Sequence, residues 1–448
     1  MLREAWVVAI EALSWMETQK INEHLALART AKQLDIDNLD ALRLANRLVY
    51  ETVRRRNLID RFINEILKPR SLSTFTVGVQ SFLRLYVYQT RILNGWKKVD
   101  IEEAKEIANL ARSILGWKAL REVEPILGLL LTENPQRIIR DLGDEERIGL
   151  MTFHPTWFVR YCFKLFGRME TIALLEASLE PPPTYIRLNT LKGDEDEILK
   201  RLADDGIAIE KVEGLRFAYK VLSSKNPLIR TKSYQKGLFY IQDKASCFAA
   251  EAADPKADMV VLDICAAPGS KTTYIAQLMQ NKGAIYSLDY SRRRMDVWTD
   301  EVSRMGVKIA QPLIADACNP IPLKLEADLV ILDPPCTSTG TFARLPSAKW
   351  RLKPRSIDKM AELQWQMLEN AAEKVKSGGT LAYSTCSITV EENEMLIERF
   401  LKLHPEFTLS EIELDMGVPG LRGLEKCRRL YPHIHACNGF FIAKLRKD

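Results

Sequence analysis

Two cysteines stand at the ends of two apolar runs in the carboxyl-terminal half of the chain. Cys336 follows an aspartate and two prolines in LDPPCTSTG, and Cys386 lies in YSTCS. A thiolate can add to an electron-poor carbon and so act as a covalent catalyst. Each proline fixes its own φ and restricts its neighbour, so the Asp333 carboxylate is expected on a stiff loop. If two thiols lie in one pocket, one could attack the carbon and the other could assist release of the product.

A cysteine after Asp-Pro-Pro favours one reaction on a flat base over another. Carbon 5 of cytosine is a poor nucleophile, so its methylation requires a thiolate that adds at carbon 6 and turns the ring into an enamine. Asp333 would stabilise the developing charge by protonation or hydrogen bonding at N3. Methylation of an exocyclic amine needs no thiol, and enzymes of that class have an aromatic residue next in the loop. The residues therefore point to methylation of carbon 5.

Three further signals at the ends of predicted strands indicate an adenosine-containing ligand. LDICAAPGSKT, residues 262–272, runs from a strand through a turn of small residues into a helix N-terminus, where a ligand can approach the backbone. Asp289 follows this turn by about 20 residues, the spacing of an acidic residue that binds ribose hydroxyls. The alternative for Asp289 is a cap of the helix that begins at SRRR. Asp316 follows the third strand, where an adenine amino group would lie.

The GSKT ending of the first signal resembles a phosphate-binding P-loop but lacks its glycines. That motif requires glycine where this chain has Cys265 and Ser270, so an NTPase is disfavoured. Cys265 is interpreted as a turn residue whose backbone, rather than its sulfur, contacts the ligand. Lys271 at the helix start is either a contact of the cofactor or base, or a solvated lysine.

Regular alternation of strands and helices after Met259 predicts the domain that positions these motifs. Continuous apolar strands interleaved with helices indicate a doubly wound α/β domain with a parallel sheet, whose ligands bind at the carboxyl ends of the strands. GFFIAKL near the end of the chain is expected to add a late edge strand. The predicted strands are 259–265, 283–290, 311–317, 327–335 and 379–386.

The residues before this domain divide into two further modules. Residues 1–135 are predicted as a helical bundle, since Leu, Ala, Val and Ile recur at three- and four-residue steps. The triple proline 181–183 marks a boundary, and strands alternating with helices predict a small α+β module over 150–250, with the catalytic domain over 251–448. The basic cluster 54–56 is interpreted as a solvated face or, less favoured, as an RNA contact.

Composition limits the class of protein. Hydrophobic residues make up 46% and charged residues 27%, as in ordinary globular proteins. A net charge of +5 is compatible with a polyanionic partner without establishing one. The chain has neither a signal-peptide order nor an apolar run of about 18 residues, so a cytoplasmic protein without a membrane span is expected. None of the eight cysteines forms a CxxC pair, so no metal site is expected, and the following are interpreted as packing residues: Cys162, Cys247, Cys318, Cys427 and Cys437.

Taken together, the motifs resemble those of a known family. LDICAAPGSKT, SLDYSRRR, ADA, LDPPCTSTG and YSTCS are similar to the successive motifs of the RNA cytosine-5 methyltransferases that use S-adenosylmethionine, a group with bacterial small-subunit ribosomal methylases and eukaryotic nucleolar proteins. The similarity extends upstream through PPPTYIRLNTLK and YIQDKAS and downstream to RLYPHIHACNGFFIAKL, and so covers residues 150–448. Residues 1–135 resemble the helical domain of the antitermination factor NusB. The resemblance implies a Rossmann-like methyltransferase domain, preceded by a small RNA-binding module and a NusB-like domain.

The resemblance also implies roles for individual residues. Cys386 would be the nucleophile, Cys336 would assist product release, and Asp333 would face both the base and the cofactor. The family usually has glycine at Ser270 and Ser338 and aspartate at Asn438; serine is small enough for the first two positions. The implied cofactor site consists of Cys265, Ala266, Ala267, Pro268, Gly269, Ser270, Lys271, Asp289, Arg294, Asp316 and Asp333.

These expectations describe a monomeric enzyme that methylates carbon 5 of a cytosine in structured RNA, with S-adenosylmethionine and without a metal. The helical domain favours ribosomal RNA, and transfer RNA is the alternative substrate. Two other functions stay open at this point. One is an RNA-binding ribosome-assembly factor whose catalytic domain is vestigial, which the two intact thiols argue against. The other is an exocyclic-amine methylase.

Overall fold

The structure, a computed structural model, describes residues 1–93, 95–96 and 99–448. It consists of two compact units. The first comprises Met1–Leu179 together with Phe342–Arg351, and the second comprises Glu180–Thr341 together with Leu352–Asp448. A short segment from the carboxyl-terminal half of the chain therefore belongs to the amino-terminal unit.

Helices dominate the first unit and alternate with strands in the second. The helices are α1 (Leu2–Gln19), α2 (Glu23–Gln33), α3 (Leu39–Arg54), α4 (Arg56–Leu67), α5 (Val77–Val87), α6 (Ile101–Leu115), α7 (Trp117–Leu120), α8 (Glu124–Thr132), α9 (Asp144–Met151), α10 (Thr156–Glu176), α11 (Glu195–Asp204), α12 (Lys232–Gln235), α13 (Lys244–Ala252), α14 (Ser270–Leu278), α15 (Arg292–Met305), α16 (Ala348–Arg351), α17 (Arg355–Ala372), α18 (Glu394–Leu403) and α19 (Pro432–His435). The strands are β1 (Tyr185–Leu188), β2 (Ile207–Lys211), β3 (Ala218–Ser224), β4 (Phe239–Ile241), β5 (Val260–Ile264), β6 (Ala284–Asp289), β7 (Ala310–Ile314), β8 (Ala327–Leu332), β9 (Val375–Thr385), β10 (Phe407–Leu409), β11 (Val418–Pro419), β12 (Arg428–Leu430) and β13 (Phe440–Lys447).

Amphipathic helices build the first unit, as predicted. Their apolar faces meet in one core that contains Trp6, Phe62 and Phe82. The side chains of Asn22 and Asn38 cap the N-termini of α2 and α3. They accept hydrogen bonds from backbone N–H groups of the first turn, which have no partner within the helix. Among the described residues, no helix is long and apolar enough to cross a bilayer.

In the basic cluster 54–56, Arg54 is buried, whereas Arg55 and Arg56 are partly exposed and lie in ion pairs. Arg54 is 1% exposed and forms an ion pair with Glu51 at 3.3 Å. Arg56 pairs with Glu17 at 2.7 Å. Both interpretations of this cluster are therefore wrong for Arg54. Carboxylates on α3 and on α1 neutralise the guanidinium groups of Arg54 and Arg56.

A small antiparallel sheet with the order β2-β3-β1-β4 opens the second unit. Arg187 of β1 is fully buried and donates to the Thr273 hydroxyl at 2.9 Å and to the Gln277 side chain at 3.3 Å. Its guanidinium also lies 4.5 Å from the ring centroid of Tyr274. These three residues belong to α14, so the small sheet helps to hold the helix that follows the predicted cofactor turn.

The large sheet of the second unit is mixed rather than wholly parallel. Strands β7, β6, β5, β8 and β9 are parallel neighbours in this order. Strand β13 continues the sheet antiparallel to β9 and also pairs with β10 and β12. The edge position expected for GFFIAKL is therefore wrong, because short strands cover its other side.

This strand order decides which motifs meet. Strand β5 lies between β6 and β8, and β8 lies beside β9. Since parallel strands end at the same edge, the turn after β5, the Asp289 end of β6 and the two cysteine loops after β8 and β9 converge there.

Candidate active site

The two predicted thiols are in contact. Pairing of Leu332 with Tyr383 brings the loops after β8 and β9 side by side, and Cys336 Sγ lies 3.1 Å from Cys386 Sγ. Both side chains are half-buried. A cavity of about 220 Å³ opens onto them and is lined by Cys265, Ala267, Arg294, Asp333, Pro334, Pro335, Cys336, Ser338 and Cys386.

The environment makes the two thiols unequal. The hydrogen bond from Cys336 lowers the pKa of the Cys386 thiol below its ordinary value, and the Ser338 hydroxyl and the Lys271 ammonium act in the same direction. The pKa of Cys336 is raised by the same hydrogen bond, by burial and by the negative charge of Glu392. Because the thiolate is the reactive form, Cys386 is the better placed nucleophile and Cys336 keeps its proton.

Lys271 is buried beside this pair and does not point into solvent. It is 7% exposed, and its Nζ donates to Asp333 Oδ2. Burial by itself would lower the pKa of Lys271, but the charge and hydrogen bond of Asp333 outweigh this effect and raise the pKa. The solvated alternative is therefore wrong. The local sequence pattern could not predict this contact, because Asp333 lies at the end of another strand.

Asp289 offers an acceptor in the position expected for a ribose-binding carboxylate. It is 1% exposed, and its Oδ1 accepts the Ser291 N–H at 3.1 Å. Its Oδ2 has no hydrogen-bond partner among the described residues, although Arg294 Nη1 lies 3.3 Å away. The capping alternative is wrong, because Ser291 caps this helix through its own side chain, and Asp289 Oδ2 retains capacity for a hydroxyl of a ligand.

The turn at residues 265–269 provides the close backbone approach that an adenosine cofactor needs. Cys265 and Gly269 have φ values of 65° and 105°, and a Cβ at Gly269 would come within 3.2 Å of the Trp298 ring. Burial raises the pKa of the Cys265 thiol, so it stays protonated. Helix α14 begins directly after the turn, and its first N–H groups suit an anionic or polar ligand.

A buried network fixes this turn from behind. Asp263 on β5 is 1% exposed and accepts a hydrogen bond from the Thr272 hydroxyl at 2.5 Å, while burial raises the pKa of Asp263 to about 7. Trp298 donates its indole N–H to the same hydroxyl at 2.9 Å. The network therefore joins β5, α14 and α15 around the predicted cofactor site.

Asp316 lies outside the cavity. It is exposed after β7, where its Oδ1 accepts the Cys318 N–H at 3.0 Å. Asn438 lies before β13, and its N–H donates to Asp243 at 3.3 Å.

Cys162, Cys247, Cys427 and Cys437 are buried and Cys318 is half-buried. Within the described part of the chain, no group of three or more His, Cys, Asp and Glu side chains is arranged to hold a metal ion.

Sequence reasoning missed Glu392, which joins the two cysteine loops. This carboxylate is fully buried and accepts the Thr337 N–H at 2.8 Å, the Gln364 amide at 2.9 Å, and the Ser387 and Thr389 hydroxyls at 2.7 Å each. Thr337 follows one thiol and Ser387 follows the other, so Glu392 determines their separation. The sequence VEENE contains no local sign that Glu392 and Glu394 are both fully buried.

Models of three protein families match the chain. The family described as 16S rRNA methyltransferase RsmB/F matches residues 250–446, its ferredoxin-like domain matches 154–223, and the NusB family matches 3–114. A relative from Bacillus subtilis named "Probable ribosomal RNA small subunit methyltransferase B" is 31% identical and aligns over 98% of each chain. A tRNA (cytosine(72)-C(5))-methyltransferase from Pyrococcus horikoshii is 38% identical over 53% of this chain and 60% of its own.

Solved structures show the same fold. A crystal structure titled PH0851 matches with a TM-score of 0.86 and 31% identity, over 100% of this chain and 99% of that chain. The structure of NSun6 from Pyrococcus horikoshii with SFG matches with a TM-score of 0.59 and 27% identity, over 64% of this chain and 97% of that chain. The PH0851 match spans the whole chain, whereas the NSun6 match spans about two thirds of it.

Proposed function

The chain belongs to the RsmB/F family of RNA cytosine-C5 methyltransferases, and we propose that it methylates a cytosine of ribosomal RNA through a covalent adduct of Cys386, with S-adenosylmethionine as the methyl donor. The observation that carries this proposal is the contact of two thiols with opposite pKa shifts beside the Lys271–Asp333 pair. An exocyclic-amine methylase would have no use for this pair.

The proposed substrate and cofactor rest on different observations. Similarity to the Bacillus subtilis protein over 98% of the chain supports ribosomal RNA, and the similarity to a tRNA methyltransferase makes transfer RNA the alternative. A relative solved with SFG, an analogue of S-adenosylmethionine, supports the cofactor. In this chain, the unused Asp289 oxygen and the left-handed turn at residues 265–269 fit an adenosine group.

The chain's own residues account for attack on the base. The Cys386 sulfur adds to carbon 6, and the Lys271 ammonium group, held by Asp333, supplies the positive charge that stabilises the negative charge reaching N3. S-adenosylmethionine, when bound, supplies an electrophilic methyl group. RNA contacts are expected mainly at the backbone, with the target nucleotide turned out of its stack into the cavity.

In the proposed mechanism, Cys336 assists release of the product. Once the Cys386 sulfur is bonded to carbon 6 it carries no negative charge, so the main cause that raises the pKa of Cys336 is removed. Cys336 then releases its own proton to solvent, and the resulting thiolate accepts the proton of carbon 5 while the carbon 5–carbon 6 double bond forms again and Cys386 leaves as a thiolate. The 3.1 Å separation allows both thiols to reach adjacent carbons of one ring.

Purified protein is expected to transfer a labelled methyl group from S-adenosylmethionine to RNA and to yield 5-methylcytidine. Nucleoside mass spectrometry of RNA treated in vitro checks the product, because the position of the methyl group distinguishes the two classes of enzyme. Bisulfite sequencing of total RNA from cells with and without the gene then identifies the modified molecule. A product that consists only of N4-methylcytidine would contradict the proposal.

Asp289→Asn is expected to weaken S-adenosylmethionine binding by about 10- to 100-fold, since hydrogen bonds to a charged acceptor contribute about 1.5–3 kcal/mol. Isothermal titration calorimetry of the purified variants measures the effect. Asp296→Asn is the matched control, because Asp296 is an exposed carboxylate on α15, the helix that follows Asp289. Equal affinity of the two variants would show that Asp289 does not bind the cofactor.

A further inference from the structure

Ser338 places a hydroxyl group beside both thiols. Its Oγ lies 3.5 Å from Cys386 Sγ and 3.9 Å from Cys336 Sγ, and its side chain lines the same cavity. The family resembled by the sequence usually has glycine at this position, which would leave no side chain there. The serine is therefore a feature of this chain that reaches the reacting sulfur atoms.

The backbone at Ser338 is held in a conformation that glycine adopts more easily. Its φ is 54°, in the left-handed region that side chains disfavour. Its carbonyl accepts both the N–H and the hydroxyl of Thr341 at 2.9 Å each. The Gly340 N–H donates to the carbonyl of Cys386 at 3.0 Å. Together with the Thr337 N–H, which donates to Glu392 at 2.8 Å, these bonds hold the backbone of the loop on both sides of Ser338.

Several other groups face Cys386, and none duplicates this hydroxyl. Asp333 on the same loop opposes ionisation of Cys386, while Lys271 on α14 favours it. The Lys271 Nζ already donates to Asp333. The Cys336 sulfur lies 3.1 Å from the Cys386 sulfur and can donate to it when Cys386 is ionised, and the Glu392 charge raises the pKa of Cys336. The Cys386 thiol donates to the Ser338 oxygen at 3.5 Å, and once Cys386 ionises the Ser338 hydroxyl can turn its own proton toward the sulfur.

We infer that Ser338 is a positioning residue that stabilises the Cys386 thiolate through its hydroxyl, both before attack on the base and when the sulfur leaves the product. The inference rests on the proposed covalent function of Cys386. The departing sulfur regains its negative charge while Cys336 is engaged with the proton of carbon 5. At that stage Ser338 supplies the hydrogen bond that Cys336 no longer gives.

Two variants separate the hydroxyl from the backbone. Ser338→Ala removes the hydroxyl and keeps a Cβ in the left-handed conformation, whereas Ser338→Gly removes both. The rate of Cys386 alkylation by iodoacetamide is measured against pH on the free protein, without RNA or cofactor, by peptide mass spectrometry. Both variants are expected to move the pH midpoint upward by about one unit, the size expected for one hydrogen bond to a charged group. Ser377→Ala, at an exposed site near the start of β9, is expected to leave it unchanged.

Turnover provides the second measurement. Methyl transfer by Ser338→Ala is expected to fall about 10-fold at neutral pH and to recover as the pH is raised, which a loss of folding would not do. Cys247 is fully buried, and its failure to react reports that each variant is folded. An unchanged midpoint in either variant would overturn the inference, even if 5-methylcytidine is still formed. A shifted midpoint in a protein that forms no 5-methylcytidine would instead support the hydrogen bond and contradict the proposed function.

Discussion

A Cys336→Ala variant is expected to accumulate a covalent protein–RNA adduct, whereas Cys386→Ala should form none. In the proposed mechanism, Cys386, whose pKa is lowered, attacks the base, while Cys336, whose pKa is raised, keeps its proton until the adduct exists. Without Cys336, the proton of carbon 5 is not removed and the sulfur cannot leave. Incubation with RNA and S-adenosylmethionine, followed by denaturing electrophoresis and mass spectrometry, detects the adduct.

The same variant tests the electrostatic link between the two thiols. Cys336→Ala also removes the main hydrogen bond that lowers the pKa of Cys386, so adduct formation is expected to be slower at neutral pH and faster as the pH rises. Cys318→Ala is the matched control, because Cys318 is a half-buried thiol outside the cavity. An adduct in Cys386→Ala and none in Cys336→Ala would exchange the two roles. No adduct in any variant would contradict covalent catalysis.

Glu392→Gln is expected to reduce methyl transfer by at least about 100-fold and to lower the thermal midpoint by about 5 °C or more. A glutamine offers one acceptor oxygen, and its NH₂ group would face N–H or hydroxyl groups that the carboxylate now binds. The loops that carry Cys336 and Cys386 would then lose their common anchor. Thermal unfolding and methyl transfer are measured on the same preparation.

The charge of Glu392 allows a second measurement, because a loss of stability alone would not shift the pH midpoint for alkylation of Cys336. The carboxylate raises the pKa of Cys336, so its replacement is expected to lower the pH midpoint for alkylation of this thiol. Glu362→Gln on α17 is the control, because Glu362 is 61% exposed and its ion pair with Arg399 contributes at most about 1 kcal/mol. Wild-type turnover in Glu392→Gln would show that the two loops are positioned independently of this network.

The sequence by itself determined the classes of elements and the motifs at their ends. Apolar strands of four to eight residues and helical spacing of Leu, Ala, Val and Ile are local properties, so the helical unit and the predicted strands around the motifs follow from them. The turn LDICAAPGSKT and the stiff loop LDPPCTSTG owe their conformations to alanine, glycine and proline within each stretch. The family matches over residues 250–446 and 3–114 cover the stretches with these motifs and most of the helical region.

Only the tertiary structure decided which side chains meet. Cys336 and Cys386 touch because β8 lies beside β9, and Lys271 binds Asp333 because β5 lies beside β8. Strand order depends on packing between distant segments, which local periodicity does not contain. For the same reason the sequence did not reveal the buried role of Glu392 or the contact of the Ser338 hydroxyl with the thiols. The residue types thus indicated the possible chemistry, and the order of the strands brought the two thiols into contact.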